Sequence, residues 1–194
     1  MKNISSLENI HTIGKFGNYE NKNDKEILKI KEVKNIFICQ IFKYKNSTLD
    51  INKLKIDNLN FPEDLKCNFN LSTRILWMGP NNYLIISEKL ELMKDILSIF
   101  EEKDFAVTDL SHSRTVIEIE GEESKEVIKK GCPLDINNLK EGDCANSIFH
   151  GITITIDFMS NNPKKIRILA LRSFGSSLYH SITDACLEYG YKSI

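Results

Sequence analysis

The stretch Ile152-Thr153-Ile154-Thr155-Ile156-Asp157-Phe158, with Asn161-Asn162-Pro163 and then Lys165 to Leu171 behind it, decides the fold class. Ile152, Ile154, Ile156 and Phe158 alternate with Thr153, Thr155 and Asp157, the period of a strand with one buried face. Asn-Asn-Pro is turn chemistry, so 165–171 returns as the partner strand. Phe174, Leu178, Ile182, Ala185, Cys186 and Tyr189 then recur at helical spacing until Gly190 ends the helix. The repeating unit is therefore strand, strand, helix.

Two similar units lie upstream. Ile75 to Met78 and Tyr83 to Ile86 are strand-like around Gly79-Pro80-Asn81-Asn82. Ser87 stands where an N-cap would, and Leu90, Met93, Ile96, Leu97 and Phe100 predict a helix through Glu102. Strands are then predicted at Phe105 to Leu110 and Arg114 to Glu120. The next helix has acids Glu122 and Glu123 at its positive end and Lys129 and Lys130 at its negative end, with Gly131 and Pro133 stopping it. Ile36 to Phe42 reads as a strand apolar on both faces. The expectation is an α+β fold of antiparallel hairpins alternating with single helices that cover one face of the sheet. No strand feeds a glycine-rich turn into a helix, which excludes a doubly wound nucleotide fold. From Lys43 to Asn70 the pattern is weak. Residues 1–35, rich in Asn, Lys and Glu, are expected to be a polar N-terminal arm, and 36–194 one α+β domain.

The 194 residues carry 26 Lys+Arg against 27 Asp+Glu, a net charge of -1, so no global basic field exists for nucleic acid. The longest apolar run, Ile36 to Phe42, is far below the roughly 20 residues of a membrane helix. The start, Met1-Lys2-Asn3-Ile4-Ser5-Ser6, lacks the apolar core of a secretion signal, so a cytoplasmic protein without a membrane partner is expected. Cys39, Cys67, Cys132, Cys144 and Cys186 form no CxxC pair, and their odd number argues for buried reduced thiols.

Candidate chemistry is sparse. Ser111-His112-Ser113 pairs hydroxyl with imidazole, but adjacent residues seldom face each other, and a tight polar turn explains the string. Cys132 follows a helix C-terminus, whose partial negative charge opposes a thiolate. Cys144 with His150, His112 and His180 matches no zinc spacing. Asp109, Asp135 and Asp143 stand where caps and turns use carboxylates. Arg172 suits a bidentate carboxylate contact or a solvated strand end. On these grounds no catalytic, cofactor-binding or metal residue is assigned.

Several of these strings together resemble one family. They are Trp77-Met78-Gly79-Pro80-Asn81-Asn82-Tyr83-Leu84-Ile85; Asp109-Leu110-Ser111 through Arg114-Thr115-Val116-Ile117 to Gly121; Gly131-Cys132-Pro133-Leu134-Asp135; Gly142-Asp143-Cys144-Ala145; and Arg172-Ser173-Phe174-Gly175-Ser176-Ser177-Leu178. In this order, over about residues 72–190, they resemble the gamma subunit of heterotetrameric sarcosine oxidase. The stretch Asp109-Leu110-Ser111-His112 to Glu120-Gly121 is also similar to a motif of the glycine-cleavage T-protein, whose folate-binding domain shares the fold. The resemblance implies a non-catalytic structural subunit of a complex that oxidises sarcosine to glycine and hydrogen peroxide and, with tetrahydrofolate, yields 5,10-methylenetetrahydrofolate. It implies alpha, beta and delta subunits as partners, with FAD, FMN, NAD, zinc and tetrahydrofolate held there and none by this chain. The alternative is a stand-alone folate-binding or one-carbon transfer protein of the T-protein type. Trp77, Tyr83, Phe174 and Tyr179 are expected to divide between core and subunit interface.

Overall fold

The computed structural model describes residues 5–194. Residues Met1 to Ile4, including most of the start read for a secretion signal, lie outside them. The strands are β1 (Gly14–Phe16), β2 (Leu28–Glu32), β3 (Phe37–Lys43), β4 (Lys55–Ile56), β5 (Leu59–Asn60), β6 (Cys67–Phe69) and β7 (Thr73–Gly79). They continue as β8 (Asn82–Ser87), β9 (Phe105–Asp109), β10 (Arg114–Glu120), β11 (Cys144–Phe149), β12 (Ile152–Asn161), β13 (Lys164–Leu171) and β14 (Tyr191–Ser193). The α-helices are α1 (Leu92–Ile99), α2 (Ser124–Lys129) and α3 (Gly175–Cys186). The chain divides into two units, one of residues 5–34, 114–141 and 146–194, the other of 35–113 and 142–145.

The first unit is built on a seven-stranded sheet in the order β1-β14-β2-β10-β13-β12-β11. The β12–β13 hairpin forms as its alternation requires, with Ile154, Ile156 and Phe158 opposite Ala170, Ile168 and Ile166. These side chains share one face with Ile117 and Ile119 of β10 and Leu28 and Ile30 of β2. Val127 and Ile128 of α2 and Leu178 and Ile182 of α3 close the core on that face. Each such aliphatic, fully withdrawn from water, contributes about 1.5–3 kcal/mol.

The second unit carries a five-stranded sheet in the order β6-β7-β8-β3-β9. Ile75, Ile85, Cys39 and Ile41 share its core face, against which Leu92 and Ile96 of α1 pack. The segment with the weak pattern supplies Ile51, Ile56 and Phe61 to this core, through a one-turn 3-10 helix, the β4–β5 ribbon and the chain beyond it.

Three expectations change in detail. Residues 1–35, expected as an arm, contribute β1 and β2, and Leu7, Leu28 and Ile30 are fully buried; β2 joins β14 in parallel and β10 antiparallel. The strands at 105–109 and 114–120 do not form a hairpin. β9 bonds to β3 and β10 to β2 and β13, because Leu110 and Ser111 are anchored on the backbone of Ile38 and do not let the chain fold back. Ser87 does not cap α1. It ends β8, its hydroxyl 2.8 Å from Thr73 Oγ1, and the helix begins five residues later.

Candidate functional site

The Ser111-His112-Ser113 string is a hydrogen-bonded turn. Asp109 Oδ1 accepts from the Ser111 N–H at 2.9 Å, and the Ser113 N–H and hydroxyl both reach the Leu110 carbonyl. Ser111 Oγ accepts from the Ile38 N–H at 3.0 Å, tying the turn to the neighbouring strand. His112 is exposed. Hydroxyl and imidazole are thus spent on different sides of the turn.

All five cysteines are buried and none is in a disulfide. Burial pushes the Cys39 and Cys186 thiols up to about 12, far from a thiolate at neutral pH. Cys132 donates to Ser147 Oγ at 3.3 Å, and Cys144 lies 3.1 Å from the Lys66 carbonyl and 3.3 Å from that of Trp77. His150 and His180 are exposed, and among the described residues no three His, Cys, Asp or Glu side chains gather as a metal site. Asp135 caps a 3-10 turn through the Asn137 N–H, and Asp143 forms an ion pair with Lys66 at 2.6 Å.

Two motif glycines have steric reasons. A Cβ on Gly175 would stand 2.5 Å from Thr115 Oγ1, and one on Gly131 2.5 Å from the His150 ring. Arg172 opens the 3-10 turn Arg172–Phe174 that leads into α3. Of the four aromatics, Tyr83 and Tyr179 are core residues, Trp77 is half-buried against the second unit's core, and Phe174 stays 47% exposed. The Tyr179 hydroxyl lies 3.2 Å from Ser193 Oγ.

Two features have no motif behind them. The first is a charged row across the face of the seven-stranded sheet turned away from its helices. Glu118 of β10 stands opposite Arg167 of β13, which stands opposite Asp157 of β12, and all three are buried. Glu118 Oε1 accepts from Arg167 Nε at 3.0 Å and Nη2 at 2.6 Å, and Oε2 pairs with Lys165 at 2.8 Å. Burial opposes ionisation of Glu118, but the Arg167 charge and hydrogen bonds from Lys165 and Arg167 outweigh it and hold the carboxyl below its usual range. Counting back from the Asn161-Asn162-Pro163 turn would have paired Asp157 with Arg167 from sequence.

The second is a cleft of about 380 Å³ in the first unit, with His11, Lys31, Glu32 and Lys34 among its walls. Glu32 accepts from Ser5 Oγ at 2.6 and 2.5 Å and from Ser6 Oγ at 3.3 Å, and pairs with Lys34 at 3.2 Å. His11 packs against the Tyr179 ring with centroids 5.4 Å apart, and its buried Nε2 has no hydrogen-bond partner. Burial lowers the His11 pKa; Glu32 raises it in opposition and Lys34 lowers it further, with a net shift downward. No motif marks this cleft, since its walls are far apart in sequence.

No family model matches the chain. Its sequence is 28% identical over 118 residues to the sarcosine oxidase subunit gamma of Corynebacterium sp. (strain U-96), covering 60% of this chain and 58% of that one. The corresponding subunit of Corynebacterium sp. (strain P-1) is 27% identical over 123 residues, 63% and 61% of the two chains. The chain therefore spans less than two thirds of the length of these curated relatives. Among solved structures, a chain of the heterotetrameric sarcosine oxidase from Corynebacterium sp. U-96, in complex with pyrrole 2-carboxylate, superposes with a TM-score of 0.75 at 21% identity. The match covers 86% of this chain and 87% of that one. The glycine cleavage system aminomethyltransferase T from Bartonella henselae gives 0.59 at 11% identity, over 88% of this chain and 48% of that one. Its α+β fold, with strand-strand-helix segments and a T-protein among its structural neighbours, is thus the one expected. In sequence, over some three-fifths of its length, the chain is similar to sarcosine oxidase gamma subunits, and in fold, over most of its length, to a chain of heterotetrameric sarcosine oxidase.

Proposed function

We propose that this chain is a structural, non-catalytic gamma subunit of a heterotetrameric sarcosine oxidase. The complex oxidatively demethylates sarcosine to glycine with release of hydrogen peroxide, and with tetrahydrofolate it delivers the carbon as 5,10-methylenetetrahydrofolate. The observation that carries the reading is the 118-residue sequence relation to a curated gamma subunit. The engagement of Ser111, Cys132, Cys144, Asp135 and Asp143 in turns, caps and backbone contacts supports a role without chemistry of its own. In this reading the alpha, beta and delta subunits hold FAD, FMN, NAD, zinc and tetrahydrofolate, and this chain contributes buried interface to them. Obligate interfaces of this kind cover roughly 2,000 Å² or more. Co-expression with and without the chain tests it. The expected result is that the larger subunits fail to assemble or to oxidise sarcosine when it is missing; normal assembly and turnover without it would refute the role.

The fold similarity to aminomethyltransferase T supports a second reading, a folate-binding or one-carbon transfer protein. Titration calorimetry of the chain with tetrahydrofolate separates the two. Saturable micromolar binding favours the second reading, and no heat of binding favours the first.

A further inference from the structure

The five-stranded sheet ends at β9, and the hydrogen-bond parity of that strand fixes which backbone groups point outward. The Tyr44 N–H reaches the Asp104 carbonyl at 2.9 Å, and the Leu110 N–H reaches the Ile38 carbonyl at 2.8 Å. With Gln40 opposite Thr108 and Phe42 opposite Ala106, the even-numbered residues of β9 bond to β3. Phe105, Val107 and Asp109 therefore turn their N–H and C=O groups to the outside. The Phe105 N–H is met by the Glu101 carbonyl at 3.0 Å. Among the described residues, no hydrogen bond reaches the Phe105 carbonyl or either backbone group of Val107 and Asp109. The edge is also unguarded. β9 contains no Lys, Pro or Gly and pairs with β3 without a bulge, the devices by which sheet edges usually refuse a further strand. Ala106 and Val107 are half-buried and Thr108 and Asp109 exposed, so these groups are open to approach. On one face the small Ala106 stands opposite Phe42, which stays 42% exposed; on the other, Val107 packs at the margin of the core.

The charges select the occupant. Residues 101–109 carry Glu101, Glu102, Asp104 and Asp109 against Lys103 alone, and Glu101 already pairs with that lysine at 2.7 Å. Glu102, Asp104 and Asp109 form no ion pair among the described residues, and Asp104 and Asp109 stand at the two ends of the strand. Lys43 of β3, opposite Phe105, offsets part of this charge. A second copy fits poorly. Paired antiparallel about Val107, each strand would set its Asp109 beside the other's Asp104, like charge against like. We propose that β9 takes an added antiparallel strand from another polypeptide, an extended segment apolar at its centre with Lys or Arg at its ends. Its backbone pairs with Val107 and Asp109, its central side chains lie over Ala106 toward Phe42 and beside Val107, and its basic ends meet Asp104 and Asp109.

The edge lies wholly on this chain, so its test stands apart from the subunit reading. The capped peptide Lys-Thr-Val-Leu-Val-Lys is titrated into the full chain, with Glu-Thr-Val-Leu-Val-Glu as its charge-reversed counterpart, and amide hydrogen exchange is followed. The basic peptide is expected to half-saturate below about 1 mM, at least about tenfold tighter than the acidic one. Bound peptide should slow exchange of the Val107 and Asp109 amides at least about tenfold, with little change at Thr108, which already bonds to β3. Val107→Pro removes an outward N–H and no bond to β3, so it should fold and bind about tenfold more weakly; Val107→Ala keeps the N–H and should bind within about threefold. Asp104→Asn with Asp109→Asn, which preserves the acceptor for the Ser111 N–H, should weaken binding about fivefold. Circular dichroism checks the fold of each variant. No saturation by about 5 mM, equal affinity for the two peptides, unaltered exchange at Val107 and Asp109, or undiminished binding by the folded Val107→Pro variant would each overturn the proposal. So would a dimer of the chain alone that Val107→Pro abolishes, because a second copy would then hold the edge.

Discussion

The two units bury a carboxylate by opposite means. In the first, Glu118 lies within a sheet and is met in register by Arg167, with Asp157 on the far side of that arginine. In the second, Asp57 sits at a loop with a left-handed backbone (φ 50°) and gathers hydrogen bonds from Asn70, Ser72 and Thr73 and an ion pair from Lys89. Burial works against ionisation of Asp57, yet the bonds from Lys89, Thr73 and Asn70 bring its pKa down to about 2. The first arrangement depends on strand pairing across long sequence separation. The second draws on partners at shorter separations, 13 to 32 residues away, and is half-solvated on the lysine side. Charge inside a sheet is therefore an all-or-none commitment, whereas charge at a loop can be lost piece by piece.

The largest effect should come from breaking the in-register row. Arg167→Met removes the cation between two buried carboxylates and should cost about 3–5 kcal/mol, read from the shift in urea midpoint. Hydrogen exchange should place the loss in the first unit. A cost below about 1 kcal/mol would mean that Lys165 alone satisfies Glu118, and the contrast between the units would collapse.

Next in size is Gly175→Ala, also in the first unit. Its Cβ would stand 2.5 Å from Thr115 Oγ1 and 3.2 Å from Ser6, so the helix start or the N-terminal segment must shift. An expected loss of about 1–3 kcal/mol is measurable by chemical denaturation. Pairing it with Thr115→Ala, which removes the nearest atom's hydroxyl, should recover part of that loss.

How far this was legible follows from sequence distance. β12, β13 and the helix after them announce themselves by period and turn residues, and the helix α2 by its charged ends and Gly131-Cys132-Pro133. β2 (Leu28–Glu32) does not, because five residues among lysines and glutamates alternate too briefly to stand out; its place is set by Val116-bearing β10 and by β14, a strand of three residues some 160 positions away. Glu118 reads as a solvated residue in an Ile-Glu-Ile run, and Arg167 opposite, with Lys165 beside it, makes its burial tolerable. The cleft beside His11 joins residues 8–13, 31–34 and 194, and no local pattern can show that.

The Asp57 network should respond by degrees. Asp57→Asn keeps the shape but gives up the charge that pairs with Lys89, which is half-exposed to water, so a cost of about 1 kcal/mol is expected. The folded pKa of about 2 lies below the ordinary 3.8. This stabilisation is complete above the ordinary value and is lost as pH falls through the folded one. Stability profiles measured down to acid pH should therefore be flatter for the variant between about pH 4 and 2. An unchanged slope would show that other carboxylates, Glu118 first among them, carry the acid sensitivity.

The smallest effect tests the turn that ends the second unit's edge strand. Ser111→Ala leaves the Ile38 N–H without its side-chain acceptor, while the Leu110 N–H still reaches the Ile38 carbonyl at 2.8 Å. The hydroxyl's own long bond to the Ile38 carbonyl, at 3.4 Å, goes with it; the loss at this half-buried position is worth about 0.5–1 kcal/mol in thermal or urea unfolding. Because the hydroxyl is committed to the backbone and His112 faces solvent, the proposed subunit role predicts that the variant supports full sarcosine turnover in the complex it assembles into. A variant with unchanged stability but abolished turnover would make Ser111 a participant in chemistry, and would turn this loop from an anchor into an active-site segment.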